Sequence, residues 1–309
     1  MKCPNCDAEI KEGSKFCRRC GTRVDNTTPK SICPNCGARC DADDSFCGEC
    51  GAALLSEAEA DGAMAGFVYD VNADGTYIIR GIKGDCPMQL VVPEGVVEIA
   101  DFAFEEQSIL GVSLPEGLRV IGVGAFKHCR RLTEIHLPDS LVQIGNEAFA
   151  YCARLHELSI PAGVRRIPYC MCYGCTSLAT LNLHDDIDEM DTYGFCGCTA
   201  LAQVRLPVGL KRIADSLFDG CDALAEVVLP AHCTCIDNYA FRSTAIRRIT
   251  MPVDVIQIGY RAFGFIPELR VDYEGTCAKW DKINLDRHWL DGFSSADVYC
   301  KDGRRKCNG

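Results

Sequence analysis

The sequence lacks any long apolar segment, and this absence limits the classes of protein to which the chain can belong. No run approaches the roughly 18–20 apolar residues that a membrane-spanning helix needs. The first ten residues, MKCPNCDAEI, also lack the apolar core of a secretory signal. We therefore expect a cytoplasmic protein without a membrane span.

Basic residues are too few to balance the acidic ones. The chain has 32 Lys and Arg against 43 Asp and Glu, a formal net charge of −11. Residues 1–50 hold eight of each sign, so the whole acidic excess lies in residues 51–309. An acidic body disfavours general binding to nucleic acid or to anionic membranes.

Signatures of catalysis are also missing. The six histidines are scattered outside nucleophile motifs, and no glycine-rich phosphate loop occurs. The stretch DVNADG from Asp70 to Gly75 begins like an EF-hand loop, but its twelfth position is Gly81 rather than the glutamate that calcium requires. We interpret this stretch as a hairpin turn. The sequence predicts a protein that is not an enzyme.

Cysteine, in contrast, is abundant. In a reducing cytosol the 23 cysteines are expected as metal ligands or buried thiols rather than disulfides. Four Cys-x-x-Cys pairs lie in the first 50 residues, and they comprise Cys3, Cys6, Cys17, Cys20, Cys33, Cys36, Cys47 and Cys50. Each pair places two thiolates on one tight turn, and two pairs complete a tetrahedral Zn²⁺ site with no position left for substrate. We predict two structural zinc ions.

The two cysteine modules repeat with an offset of 30 residues. Cys40 falls where Ile10 stands in the first module, so we interpret Cys40 as a small packing residue. The motifs CPNC…FCRRCG and CPNC…FCGECG resemble the tandem zinc ribbons at the head of many prokaryotic multidomain proteins. We expect ribbons at residues 1–24 and 33–52, with linkers at 25–32 and 53–66. Modules of this size depend on metal for folding.

A second repeat, of 22 or 23 residues, follows the ribbons. The segment AFKHCRRLTEIHLP at 125–138 returns as AFAYCARLHELSIP at 148–161. The anchor positions are Pro93, Pro115, Pro138, Pro161, His184, Pro207, Pro230 and Pro252. Six residues further on come Ile99, Ile121, Ile144, Ile167, Met190, Ile213, Ile236 and Ile258, and eleven further on come Phe104, Phe126, Phe149, Cys172, Phe195, Phe218, Phe241 and Phe263. Such a period with one short strand in each unit is typical of a leucine-rich solenoid.

One unit shows how a coil is built. In LTEIHLP, Leu132, Ile135 and Leu137 are available to the core, whereas Glu134 and His136 point outward. Proline then ends the strand, because it cannot donate a hydrogen bond to the ladder. No coil buries its apolar side alone, so each coil needs its neighbours.

These units resemble the BspA-like leucine-rich-repeat family, whose pattern P-x-x-(V/L)-x-x-I-G-x-x-A-F-x-x-C-x-x-L-x-x-(I/V)-x-L they closely match. The resemblance covers about residues 67–300 and implies a bacterial protein with a β-rich solenoid of eight repeats and short parallel strands. It also implies a leading hairpin cap at 67–92, the solenoid at 93–273, and a closing cap and tail at 274–309. Met171-Cys172, His184 and Met190 depart from the pattern, and less regular packing is expected there.

The remaining cysteines suggest packing more than chemistry. Cys129, Cys152, Cys175, Cys198 and Cys221 recur every 23 residues, so they should stack in one buried column. A denser group runs from Cys170 through Cys172, Cys175 and Cys196 to Cys198. A second metal or redox site within this group remains an alternative.

The outward strand residues are the candidate partner surface. They include Glu134, His136, Glu157, Ser159, Thr180, Asn182, Gln203, Arg205, Glu226 and Arg248. Eight coils make a ladder of about 34 Å, long enough for a protein segment. The sequence thus predicts a non-enzymatic scaffold that binds an unidentified protein, with the ribbons as a docking module.

Three alternatives to the scaffold remain open. The first is a nucleic-acid-associated regulator that binds through ribbon residues such as Lys15, Arg18, Arg19 and Arg23. Since the BspA-like family is associated with surface adhesion, the second is an adhesin-like binding protein if the chain is exported. The third is an enzyme that uses the cysteines between Cys170 and Cys198.

Overall fold

The computed structural model describes residues 31–32, 39–40, 49, 62–291 and 294–308. The chain divides into two compact units, one of residues 1–62 with 73–75 and the other of residues 63–72 with 76–309. In the first unit, the short strands β1 (Ser31–Ile32) and β2 (Arg39–Cys40) pair antiparallel.

The second unit begins with a hairpin. β3 (Phe67–Val71) and β4 (Tyr77–Ile82) pair antiparallel around a turn in which the Asn72 amide donates to the Thr76 carbonyl at 2.8 Å. The EF-hand-like stretch is therefore a hairpin turn, as the sequence predicts. Met64 precedes the hairpin, within the segment 53–66 expected as a linker, and its side chain is buried in the core of this second unit.

Each later coil contributes two short strands, which form two rows along the solenoid. The first row comprises β5 (Gln89–Val91), β7 (Gly111–Ser113), β9 (Glu134–Ile135), β11 (Glu157–Ser159), β13 (Thr180–Asn182), β15 (Gln203–Arg205), β17 (Glu226–Val228), β19 (Arg248–Met251), β21 (Glu268–Tyr273) and β23 (Ser295–Cys300). The second row comprises β6 (Val96–Ile99), β8 (Val120–Ile121), β10 (Gln143–Ile144), β12 (Arg166–Ile167), β14 (Glu189–Met190), β16 (Arg212–Ile213), β18 (Cys235–Ile236), β20 (Gln257–Ile258) and β22 (Asn284–Leu285).

Parallel pairing holds successive coils in register along much of the solenoid, and the ladders are interrupted between β9 and β11, β10 and β12, β13 and β15, β14 and β16, and β17 and β19. In the first row Glu157 lies opposite Thr180 and Gln203 opposite Glu226, and in the second row Ile167 lies opposite Met190. A step of one coil therefore carries each residue to the equivalent position of its neighbour, and side chains of one kind form columns.

The interior lies between the two rows, and a column of phenylalanines runs through it. Rings of successive coils stack with centroids 5.3–5.8 Å apart, from Phe104 to Phe149 and again from Phe195 to Phe263. The stack is broken only in the intervening coil, where Met171 and Cys172 are fully buried in its place. The ladders are also interrupted at this coil, because β12 pairs with β14 but not with β10, and β13 pairs with β11 but not with β15. The less regular packing expected there therefore extends to the strand pairing.

Two residues in every coil have left-handed backbone conformations. They stand nine and thirteen residues after each anchor position, and they are Phe102, Glu106, Gly124, His128, Glu147, Tyr151, Cys170, Gly174, Tyr193, Gly197, Ser216, Gly220, Tyr239, Ser243, Arg261 and Phe265. Only four of these sixteen are glycine, although a non-glycine residue is strained there. Their amides donate to the next coil, for example from Tyr151 to the Tyr173 carbonyl at 2.7 Å, which offsets the strain.

A compact cap ends the solenoid. The short helix α1 (Cys277–Trp280) begins after Thr276, and β23 turns back into the antiparallel strand β24 (Gly303–Asn308). The Trp289 ring packs against the last phenylalanine of the column, Phe263, with centroids 5.9 Å apart. The core is thereby covered at its last coil.

Candidate functional site

The predicted zinc ligands lie outside the described residues. These are Cys3, Cys6, Cys17, Cys20, Cys33, Cys36, Cys47 and Cys50. Their assignment as ligands remains a prediction from their spacing.

The candidate partner residues all lie on one exposed surface, which we call the strand face. It consists of Glu134, His136, Glu157, Ser159, Thr180, Asn182, Gln203, Arg205, Glu226 and Arg248, each exposed to solvent. Buried residues such as Leu158 and Leu181 alternate with them along the strands, so the pleat itself directs the polar side chains outward.

Hydrogen bonds order the centre of the strand face. The Asn182 Nδ2 group donates to Glu157 Oε1 at 3.1 Å and to Ser159 Oγ at 2.9 Å. These side-chain contacts link β11 and β13 on their outer side, and the backbone ladder links the same two strands. The central part of the face is therefore partly preorganised.

Carboxylates of the same chain neutralise the arginines of the strand face. Arg205 Nη2 lies 2.9 Å from Asp185 Oδ2, and its hydrogen bond holds the pKa of Asp185 below the ordinary value. Burial alone would raise the pKa of Asp272, but hydrogen bonds from Arg248 and Arg270 lower it.

The glutamates of the strand face lack such partners. Within residues 62–291 and 294–308, Glu134, Glu157 and Glu226 form no ion pair. The strand face consequently presents uncompensated negative charge. Its content of both glutamate and arginine does not by itself indicate this charge.

An apolar side chain interrupts this polar surface. Val228 lies opposite Arg205 in the ladder, and 73% of its surface is exposed. Because most of the Val228 side chain is exposed, it makes few contacts within the chain. It is a candidate apolar anchor for a partner.

A second surface, which sequence reasoning missed, lies on the turns of the central coils. This tyrosine groove has a volume of about 360 Å³ and is lined by Glu147, Ala150, Tyr151, Tyr169, Cys170, Tyr173 and Tyr193. The rings of Tyr151 and Tyr173 meet edge to face at 5.2 Å, and those of Tyr173 and Tyr193 at 6.2 Å. A hydrogen bond with Cys170 raises the pKa of the Tyr169 hydroxyl to about 12. The sequence signal that could have indicated the tyrosine groove is the recurrence of tyrosine in turn positions of successive repeats.

The cysteine column is buried, as predicted, and it also forms a hydrogen-bond ladder. Each thiol donates to a backbone carbonyl of the preceding coil, from Cys129 to Phe104 at 3.0 Å, Cys152 to Phe126 at 3.2 Å, Cys175 to Phe149 at 3.1 Å, Cys198 to Cys172 at 3.3 Å and Cys221 to Phe195 at 3.2 Å. Burial raises the pKa of Cys129 to about 12 and that of Cys152 well above its ordinary value. These thiols fill space and satisfy carbonyls, and raised pKa values make them poor nucleophiles.

The dense cysteine group between Cys170 and Cys198 does not converge on one centre. Cys172, Cys175 and Cys198 are fully buried in the interior, whereas Cys170 lines the tyrosine groove. Burial raises the pKa of Cys196 to about 12, and the nearby Asp219 carboxylate adds to the effect. Nothing in the arrangement activates these thiols.

One group of potential ligands does converge, in the closing cap. In the part of the chain that the structure describes, only Cys277, Cys300 and Asp302 place three such atoms within 4.8 Å of one another. Cys277 is buried, Cys300 half-buried and Asp302 exposed. The sequence offers no motif for this group.

Comparison with family models agrees with both parts of the chain. The BspA type leucine rich repeat region matches in six copies over residues 86–202 and 142–270. The double zinc ribbon matches residues 3–51, and zinc binding follows from this match. No curated protein matches the chain.

The solved structures that resemble the chain are leucine-rich repeat proteins. A T. pallidum protein of this kind is 36% identical, with a TM-score of 0.50, over 52% of this chain and 78% of that protein. A second, from Bacteroides ovatus, is 23% identical with a TM-score of 0.55, and the match covers 71% of this chain and 65% of that one. A third, from Eubacterium ventriosum, is 24% identical with a TM-score of 0.50 over 58% of this chain and half of that one, so these two show the fold alone. No helix among the described residues is long and apolar enough to cross a membrane.

Proposed function

Because the chain belongs to the BspA-type leucine-rich repeat proteins, we propose that it is a non-enzymatic scaffold whose strand face binds a protein partner. The observation that carries this proposal is the preorganised exposed row on β9 to β19, with Val228 as an apolar anchor. Short strands whose alternate residues are buried in the coils form a rigid surface, and rigidity lowers the entropic cost of association.

The charge of the strand face indicates the chemistry of the partner. Glu134, Glu157 and Glu226 are uncompensated, whereas Arg205 and Arg248 are each paired with an aspartate. A partner segment rich in Lys or Arg would complement this surface and be steered toward it. The same charge disfavours nucleic acid as the ligand of the solenoid.

The double zinc ribbon supplies a separate docking module in this proposal. Each ribbon holds one structural Zn²⁺ through four of the eight cysteines, which gives two ions. Chelation under reducing conditions should expose residues 1–50 to protease, because metal supplies the folding energy of modules this small. A resistant fragment beginning near residue 60 should survive, since burial over successive coils holds the solenoid.

We also propose that the protein works in the cytoplasm. The support is chemical, because the five column thiols act as S–H donors and thus depend on the reduced state. A reducing compartment preserves that state. Cell fractionation with an antibody against the chain tests this placement, and recovery outside the cell would refute it.

The partner surface is tested by charge reversal. The double variant Glu157→Lys/Glu226→Lys should no longer capture or cross-link most of the proteins that the wild-type chain captures and cross-links. Its folding should be unchanged, because exposed substitutions move stability by under about 0.5 kcal/mol. The matched control is Asp139→Lys/Asp222→Lys, which makes the same charge change at exposed positions outside the strand face.

The control variant should capture as the wild type does. Equal capture by all three chains would remove the strand face from the proposal. If Tyr151→Ala and Tyr173→Ala then abolished capture, the partner surface would be the tyrosine groove instead.

A further inference from the structure

We propose that Cys277, Cys300 and Asp302 form a zinc site in the closing cap, separate from the ribbons and held by the end of the solenoid. The three potential ligand atoms already lie within 4.8 Å of one another. Ligand atoms around a tetrahedral Zn²⁺ are about 3.5–3.8 Å apart, so closure needs side-chain shifts of about 1 Å.

The cap brings these residues together from two elements. Cys277 is the first residue of α1, whereas Cys300 and Asp302 lie at the end of β23 and in the turn before β24. The pairing of Cys300 with Gly303 makes this turn tight, so that Asp302 projects back toward the helix. The Cys277 amide donates to Asp302 Oδ1 at 2.7 Å, which fixes the carboxylate beside the thiol and leaves Oδ2 for a metal.

Glycine at position 303 keeps room for the Cys277 sulfur. A Cβ atom placed there would lie 3.3 Å from Cys277 Sγ, closer than ordinary van der Waals contact. Any larger residue would press on the thiol at the point where the three ligands converge. The turn sequence is therefore compatible with a sulfur that points at Asp302.

A loaded site would be negatively charged, and a cation of the cap lies near it. Two thiolates and one carboxylate around Zn²⁺ carry a net charge of −1. Arg305 is the nearby cation, and it is itself held by Asp281, with contacts of 2.9 and 2.8 Å.

The ligand set selects the metal by its chemistry. Two thiolates favour a soft or borderline ion such as Zn²⁺ over Mg²⁺ or Ca²⁺, which prefer oxygen ligands. Three protein ligands leave one tetrahedral position, and the exposure of Asp302 opens that position to water or to a partner side chain. Bound zinc would tie α1 to the terminal hairpin and lock the cover of the last coil.

The experiment compares zinc content per chain in full-length proteins purified with zinc under reducing conditions. The wild type should hold one zinc more than Cys300→Ser and one more than Asp302→Ala. Cys307→Ser is the matched control, because Cys307 is a half-buried cysteine of the same hairpin outside the ligand group, and it should equal the wild type. The difference does not depend on how many ions the ribbons hold.

Folding and metal identity are monitored in the same samples. Both tryptophans of the chain, Trp280 and Trp289, are buried in the cap, so their emission reports whether each variant remains folded. If Cys300→Ser loosens the cap, the exposed Asp302→Ala variant still decides the question. After substitution with cobalt, the wild type should show stronger thiolate charge-transfer absorption than Asp302→Ala.

Equal zinc in the wild type and in a folded Cys300→Ser or Asp302→Ala variant would overturn the proposal. A Cys277–Cys300 disulfide in the zinc-loaded reduced protein, detected as two thiols protected from alkylation with a mass lower by two hydrogens, would overturn it as well.

Discussion

The break in the phenylalanine column leads to a double substitution that should cost little although each half is costly. In the coil between Phe149 and Phe195, Met171 and Cys172 occupy the positions that hold alanine and phenylalanine in most other coils. Methionine plus cysteine fills nearly the same volume as alanine plus phenylalanine. We therefore expect Met171→Ala/Cys172→Phe to continue the ring stack at the 5.3–5.8 Å spacing of its neighbours.

The single variants should each be damaged, for opposite reasons. Met171→Ala removes a fully buried side chain and leaves a cavity, which costs about 2–5 kcal/mol of unfolding free energy. Cys172→Phe adds a ring beside an intact Met171 and should cost about 1–3 kcal/mol through overpacking. Independent effects would sum to at least about 3 kcal/mol. We expect the double variant within about 1.5 kcal/mol of the wild type.

Urea unfolding of the full chain measures these differences. The two tryptophans both lie in the cap, so their fluorescence reports the closing end of the solenoid and not the ribbons, and circular dichroism follows the strands. Because repeat arrays can lose coils in steps, the two signals must coincide before free energies are compared. If the losses of unfolding free energy in the two single variants simply add in the double variant, the two substitutions do not compensate each other in volume, and the reasoning is refuted.

Other consequences can be checked on single residues. Gly145→Ala should destabilise by about 2 kcal/mol or more, since its Cβ would lie 2.4 Å from a backbone nitrogen of the preceding coil, whereas Gly209→Ala, which faces open space, should be nearly neutral in the same denaturation assay. Ser243→Gly should stabilise by up to about 1 kcal/mol by relieving a left-handed residue at φ 55°, and a lower melting temperature would contradict that reason. Burial raises the pKa values of Cys152 and Cys198 well above the ordinary thiol value, so both should resist alkylation in the native protein at pH 7–9 and react after denaturation, as peptide mass analysis would show.

The repeat was accessible from sequence because its physical cause is periodic. A buried Phe126 or Phe149 must recur at each coil if the coils stack, so a list of equivalent positions predicts a column. The left-handed turns were not accessible in this way. Glycine marks them at Gly174, but most of these positions carry residues such as Glu147 or Tyr151, whose conformation is imposed by hydrogen bonds to the next coil.

The same distinction separates the two kinds of cysteine site. The predicted ribbon ligands, such as Cys3 and Cys6, can be recognised from their spacing, because one tight turn must present both thiolates to one ion. Cys277 and Cys300 stand 23 residues apart and meet only through the pairing of the terminal hairpin, a tertiary contact without a local signature. The tyrosine groove also depends on residues from different coils, and only the assembled turns show that they share a surface.

The left-handed turns also give the solenoid a direction of assembly. Their amides donate forward, so the turns of one coil are completed by the coil that follows it, and those of the last coil by the cap, where the Arg261 amide donates to the His288 carbonyl at 2.7 Å. The nearby Phe263 amide likewise donates to the Trp289 carbonyl at 3.1 Å. On the ribosome, each coil must wait for about 23 further residues before its turn can close. Insertion or loss of a whole coil in the middle of the array would therefore keep these forward bonds, whereas loss of the cap would leave the amides of Arg261 and Phe263 without their acceptors.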